Sequence, residues 1–221
     1  MKVQNSYMRK ISILTSALVF SSLSFIPQVH AASTNCAPTQ AIEEGPYYLS
    51  NTPTRSDVSV GQAGKPLTLT FTVRDTSCKA IKGARIDIWY ANAQGVYSGV
   101  ASRGDDLGAG ANSGNFLRGT QFTNSKGVAT FKGIYPGWYP ARTIHIHEKI
   151  WVGGREILTT QTYFTDKENA QVMSTSPYNS RGSQPVTNVN DMVLTRGNVV
   201  LADSLMTLRG SKAAFTFTVK P

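Results

Sequence analysis

The chain has 221 residues and a formal charge of +9 at pH 7. That length suits one domain with a real core, or one domain plus a tail. Its lysines and arginines are scattered, with no basic block and no stacking module, which argues against a nucleic-acid binder.

Residues 1–31 read as a secretory leader. MKVQNSYMRK supplies a positive start, ISILTSALVFSSLSFI a short apolar run, and VHA ending at Ala31 a small-x-small cleavage site. The run is too short and polar-spotted for a membrane span, so no stable anchor is expected once it is removed. The mature domain is then 32–221, exported to the periplasm or the extracellular space. Removing Lys2, Arg9 and Lys10, with no acid lost, takes +9 to +6. Both cysteines, Cys36 and Cys78, lie in the mature part. Export favours a bridge between them, which would staple the N-terminal arm to the end of the first strand. Free thiols, or a bridge between chains, are the other readings.

Residues 36–59 show little periodicity and read as an ordered arm over something larger. LTLTFTVRD (67–75) alternates cleanly and is a half-buried strand; ARIDIWYA (84–91) is a second. A glycine-rich loop over 98–120 follows, either shaping a pocket or a plain excursion. GVATFKGI (127–134) is a strand, and RTIHIHEKIWV (142–152) pairs with REILTTQTYFT (155–165) across a tight Gly-Gly turn. Residues 166–190 are polar and irregular, VLTRG leads into further short strands, and AAFTFTVKP (213–221) is the last strand. No helix pattern stands out. The expected fold class is all-β, a β-sandwich of mostly antiparallel strands with long irregular loops.

The chemistry gathers at 134–150, IYPGWYPARTIHIHEKI. His145 and His147, two apart in a strand, leave the same face. The only other histidine, His30, lies in the leader. The spacing fits a metal pair, or two solvated or capping histidines. Glu148 points to the opposite face. The candidate oxygen donors are the tyrosines Tyr97, in IWYANAQGVYSG, and Tyr139, in the PGWYP turn. A phenolate is a hard anionic donor and suits a hard cation such as Fe(III), which imidazole also accepts; the ion's own charge holds the tyrosine ionised. Packing with satisfied hydroxyls is the alternative for each.

Four stretches, EEGPYYL, KGARIDIWYANAQGVYSG, FLRGTQFTNSKGVATFKGIYPGWYPARTIHIH and LTTQTYF, together resemble the intradiol ring-cleavage dioxygenases, the family of catechol 1,2-dioxygenase and protocatechuate 3,4-dioxygenase, and most of all its compact exported branch. The resemblance implies one Fe(III) per chain held by Tyr97, Tyr139, His145 and His147, with Tyr139 and His147 axial. It implies that a small aromatic diol is opened by O2 between its hydroxyl-bearing carbons to a muconate-type dicarboxylate. Tyr139 would also act as base, Arg142 would stabilise developing negative charge, and Gln161 would position the reactants. Pro46, Tyr47 and Arg118 fall in stretches near the substrate in relatives. Two departures stand out: Tyr139 is only three residues from Arg142, where the well-known enzymes carry a longer insert, and the helical dimerisation region of the catechol enzymes is absent. In addition, Ala141 stands where close relatives often have glycine. The competing readings are a secreted non-enzymatic binding module and a copper or zinc enzyme using the HxH pair; neither needs the full four-ligand set.

Overall fold

A computed structural model describes Met1, 36–101 and 112–221. The expected leader therefore lies outside the described residues beyond Met1, as does the middle of the glycine-rich loop. Among the described residues, eight strands form two four-stranded sheets. One sheet has the order β4 (Val128–Ile134), β1 (Pro66–Asp75), β8 (Lys212–Val219) and β7 (Thr207–Arg209). The other has β3 (Arg118–Phe122), β2 (Arg85–Trp89), β5 (His145–Val152) and β6 (Arg155–Tyr163). All pairings are antiparallel except β1 with β8.

The period-2 pattern explains the core. Leu67, Leu69, Phe71 and Val73 of β1 are buried together with Phe131, Phe217, Ile86, Ile88, Ile146 and Ile150. Ile146 and Ile150 face this core, so His145 and His147 leave the other side of β5. Glu148 shares the core side with Ile146. It is fully buried and accepts a 2.5 Å hydrogen bond from Thr162.

The all-β expectation is corrected: the fold is α+β. Helix α1 spans Asp166–Met173 and α2 spans Met192–Arg196. The stretch read as irregular thus begins with a helix, and the VLTR residues read as leading into strands lie in α2. Thr165 and Glu168 form a reciprocal capping box that satisfies orphan N–H groups at the start of α1. Asp191 caps α2. No helix among the described residues is long and apolar enough to cross a membrane.

The arm is ordered. Cys36 is bridged to Cys78, with Cα atoms 5.3 Å apart. From there the arm hydrogen-bonds β8 through Thr39 and β6 through Ile42. It then crosses the histidine-bearing face and pairs Thr54 with Thr120.

Candidate metal centre

Register sets the first neighbours. On β5, His147 lies between Trp89 of β2 and Gln161 of β6, and His145 lies beside Tyr163 of β6. His145 Nδ1 donates to the Thr143 carbonyl at 2.7 Å, which leaves the Nε2 lone pair pointing into the site. His147 is stacked on Trp89, with ring centroids 4.9 Å apart.

The two tyrosines arrive on neighbouring loops, Tyr97 after β2 and Tyr139 between β4 and β5. These loops touch backbone to backbone. A Cβ on Gly95 would lie 2.1 Å from the Trp138 carbonyl oxygen, and one on Gly137 would lie 2.4 Å from that of Ala93. Only glycine permits this approach, and it brings the phenols over the histidines. Tyr97 Oη and Tyr139 Oη are 3.4 and 3.2 Å from His145 Nε2, and His147 Nε2 is 3.0 Å from it. All four residues are buried.

Burial dominates the electrostatics. It pushes the Tyr97 hydroxyl well above 10 and raises that of Tyr139 to about 12, against a lowering by Arg142. It holds both histidines well below 6.5, with Arg142 adding to the effect. Near neutral pH the histidines are uncharged and offer lone pairs, and the phenols keep their protons unless a cation displaces them.

These donors fit a metal. Bonds of about 2.1 Å from a shared centre would put neighbouring donor atoms about 3.0–3.4 Å apart, and the other three donors lie 3.0–3.4 Å from His145 Nε2. No group of three or more His, Cys, Asp or Glu that could hold a metal occurs among the described residues. The two tyrosine oxygens stand beside the two imidazoles, and phenolate oxygen with imidazole is a donor set that fits iron.

Arg142 reaches the same point, with Nη1 3.5 Å from His145 Nε2. Its Nη2 donates to Gln161 Oε1 at 2.5 Å, and its Nε donates to Asp191 at 2.9 Å. Gln161 accepts from Tyr163 Oη at 2.8 Å and donates to the Glu43 carbonyl at 2.8 Å, tying β6 to the arm. Tyr47 lies against Tyr97 and Tyr139, with centroids 4.4 and 6.0 Å apart. Arg118 is almost fully buried and donates to the carbonyls of Tyr47 and Ser98, bracing the arm against the Tyr97 loop. Pro46 is exposed. Sequence reading did not single out Trp89, Thr143, Tyr163 or Asp191. Tyr163 was within reach, since it is two residues beyond Gln161 on one strand and shares its face. The other three depend on register and loop packing.

A family model described as "Dioxygenase" matches residues 43–177, more than half of the chain. An intradiol ring-cleavage dioxygenase from Tetranychus urticae is similar in structure, with a TM-score of 0.76 at 30% identity, covering 84% of this chain and 96% of that one. The dioxygenase domain of a dioxygenase and carbohydrate-binding protein fusion from Streptomyces sp. SirexAA-E gives 0.62 at 30% identity, covering 83% and 99%. A chlorocatechol 1,2-dioxygenase of Pseudomonas putida is 29% identical over 142 residues, 55% of this chain and 52% of that one. The chain spans about half the length of the curated relatives it matches. A two-sheet sandwich carrying a buried pair of tyrosines and a pair of histidines belongs, on these matches, to the intradiol ring-cleavage dioxygenase family. Membership implies a non-haem iron cofactor.

Proposed function

We propose that this protein is an exported dioxygenase that uses one ferric ion and O2 to cleave a small catechol-type diol between its hydroxyl-bearing carbons, giving a muconate-type dicarboxylate. The observation that carries this reading is the convergence of two phenol oxygens and the His147 Nε2 within 3.0–3.4 Å of His145 Nε2 in a member of this family. The ferric ion supplies a chelating centre for the diol and an electron acceptor that opens the ring to O2.

The ion is held by Tyr97, Tyr139, His145 and His147. His145 presents Nε2 because Thr143 retains its Nδ1 proton. Tyr139 Oη, ionised where it would hold the ion, would take a proton from a diol hydroxyl. Arg142 Nη1, 3.5 Å from His145 Nε2, donates to negative charge growing on the substrate. Gln161 aims that guanidinium. Tyr47, packed on both tyrosine rings, keeps bulk water off that side. The Cys36–Cys78 disulfide is of the kind that persists in oxidising compartments, which favours work outside the cytoplasm.

Oxygen uptake with catechol, protocatechuate, hydroxyquinol and a chlorocatechol tests the reaction and ranks the substrates. Stoichiometric uptake with a ring-opened dicarboxylate product is expected. Iron-loaded protein that consumes no O2 with any of them contradicts the reading. In Tyr139→Phe, activity per bound iron should fall, and a value equal to wild type removes the base role.

A further inference from the structure

Asp191 lies beneath the site and is fully buried. Its Oδ2 accepts from Arg142 Nε at 2.9 Å and from the Thr143 amide at 2.8 Å. Its Oδ1 accepts from the amides of Val193 and Leu194 at 2.9 and 3.2 Å. All four partners are N–H donors. Such a shell fits an ionised carboxylate, because an asparagine there would turn its own N–H2 toward one of the two pairs.

Two consequences reach the metal centre. A guanidinium is a rigid planar fork. With Nε pinned to Asp191, the plane of Arg142 is set and its two Nη groups are directed at Gln161 and His145. The Thr143 amide is pinned as well, on the residue whose carbonyl, in the next peptide unit, holds the Nδ1 proton of His145. We propose that Asp191 is a positioning residue for ring cleavage, aiming Arg142 at the substrate and anchoring the Thr143 backbone behind His145. This rests on the dioxygenase reading above for its consequence, but not for its geometry.

Asp191→Ser separates positioning from mere helix capping. Serine is a good N-cap and keeps an acceptor for α2, but it withdraws the carboxylate from Arg142 and Thr143. The first readout uses iron-free protein. In proton–nitrogen NMR, wild type should show a slowly exchanging Arg142 Nε–H signal, identified by its loss in Arg142→Lys. Asp191→Ser should speed its exchange at least about tenfold or erase it; unchanged protection overturns the proposal whether or not the enzyme is active. The second readout uses iron-loaded protein. Asp191→Ser should keep its visible absorption band while kcat falls about 10–100-fold, the scale of a misplaced catalytic group. The variant carrying both Arg142→Lys and Asp191→Ser should be slowed by clearly less than the product of the two single factors. Factors that simply multiply mean that Asp191 does not act through Arg142, and this too overturns the proposal. If Asp191→Ser fails to fold, Asp191→Thr, also a helix N-cap without the carboxylate, is read by the same two criteria. An inactive iron-loaded wild type defeats the dioxygenase reading alone, since the exchange measurement still decides the role of Asp191.

Discussion

The imidazole of His147 lies flat on the indole of Trp89, with planes 9° apart and centroids 4.9 Å apart. His147 Nδ1 has no hydrogen-bond partner among the described residues, so stacking does for this ring what the Thr143 carbonyl does for His145. The arm limits the ring as well: Gly45 has φ +69°, and a Cβ there would lie 3.3 Å from His147 Cε1.

Trp89→Leu removes the flat support and should weaken iron retention about 10–100-fold, the scale seen when groups that orient metal ligands are lost. Trp89→Phe keeps an aromatic face and should lose less. Gly45→Ala should weaken retention in the same direction, through left-handed strain and the close contact. Competition against a chelator measures all three. Equal midpoints for wild type and Trp89→Leu would contradict the seat assigned to His147.

Ala141 has φ +71° and an exposed side chain. An L-residue there costs about 1–2 kcal/mol relative to glycine, partly offset by glycine's greater freedom in the unfolded chain. Ala141→Gly should therefore stabilise the protein by about 0.5–1 kcal/mol. Urea unfolding with unchanged slope checks this, and a lower midpoint would contradict it.

The Cys36–Cys78 bridge closes a loop across a sequence separation of 42. In chain-entropy terms such a cross-link contributes about 4 kcal/mol. Replacing both cysteines with serine should lower stability by about that amount and free the arm that carries Gly45 and Tyr47. Chemical denaturation of the two forms decides it, and unchanged stability would contradict the bridge as an anchor.

Burial gives the iron-free protein two pH dependences of opposite sign. His145 and His147 are held well below 6.5, so the unfolded chain binds more protons in acid, and their contribution is lost as pH falls below that value. Glu148 is held well above 4.5, so its contribution is complete below that pH and is lost as pH rises. The windows overlap, so variants must separate them. The stability of Glu148→Gln relative to wild type should grow by up to about 1.4 kcal/mol per pH unit above 4.5, until the folded carboxyl itself ionises. A difference that does not vary between about pH 5 and 8 would contradict a buried neutral Glu148.

Strand parity made much of this molecule legible in its sequence. The alternation in β1 and β8, the β5–β6 hairpin, and the placing of His145 and His147 opposite Ile146 and Glu148 all follow from a period of two. Parity says nothing about Trp89 or Asp191, which reach the site through register and a distant loop. The helices escaped notice for different reasons. At five residues, α2 is too short to show a period. In α1 the signal was the capping box of Thr165 and Glu168, which sits in a polar stretch whose apolar side is only Val172 and Met173.

The central claim is that Tyr97 and Tyr139 bind a ferric ion together with His145 and His147. Two ferric phenolates absorb visible light by ligand-to-metal charge transfer, which histidines alone or a zinc site cannot do. The visible spectrum of the purified protein, read beside its iron content, is the most direct test. We predict a red to burgundy protein with one iron per chain, a band that bleaches or shifts in Tyr97→Phe, and loss of most of the iron in His145→Ala or His147→Ala. A folded wild-type protein that stays colourless and takes up no ferric iron would contradict the account.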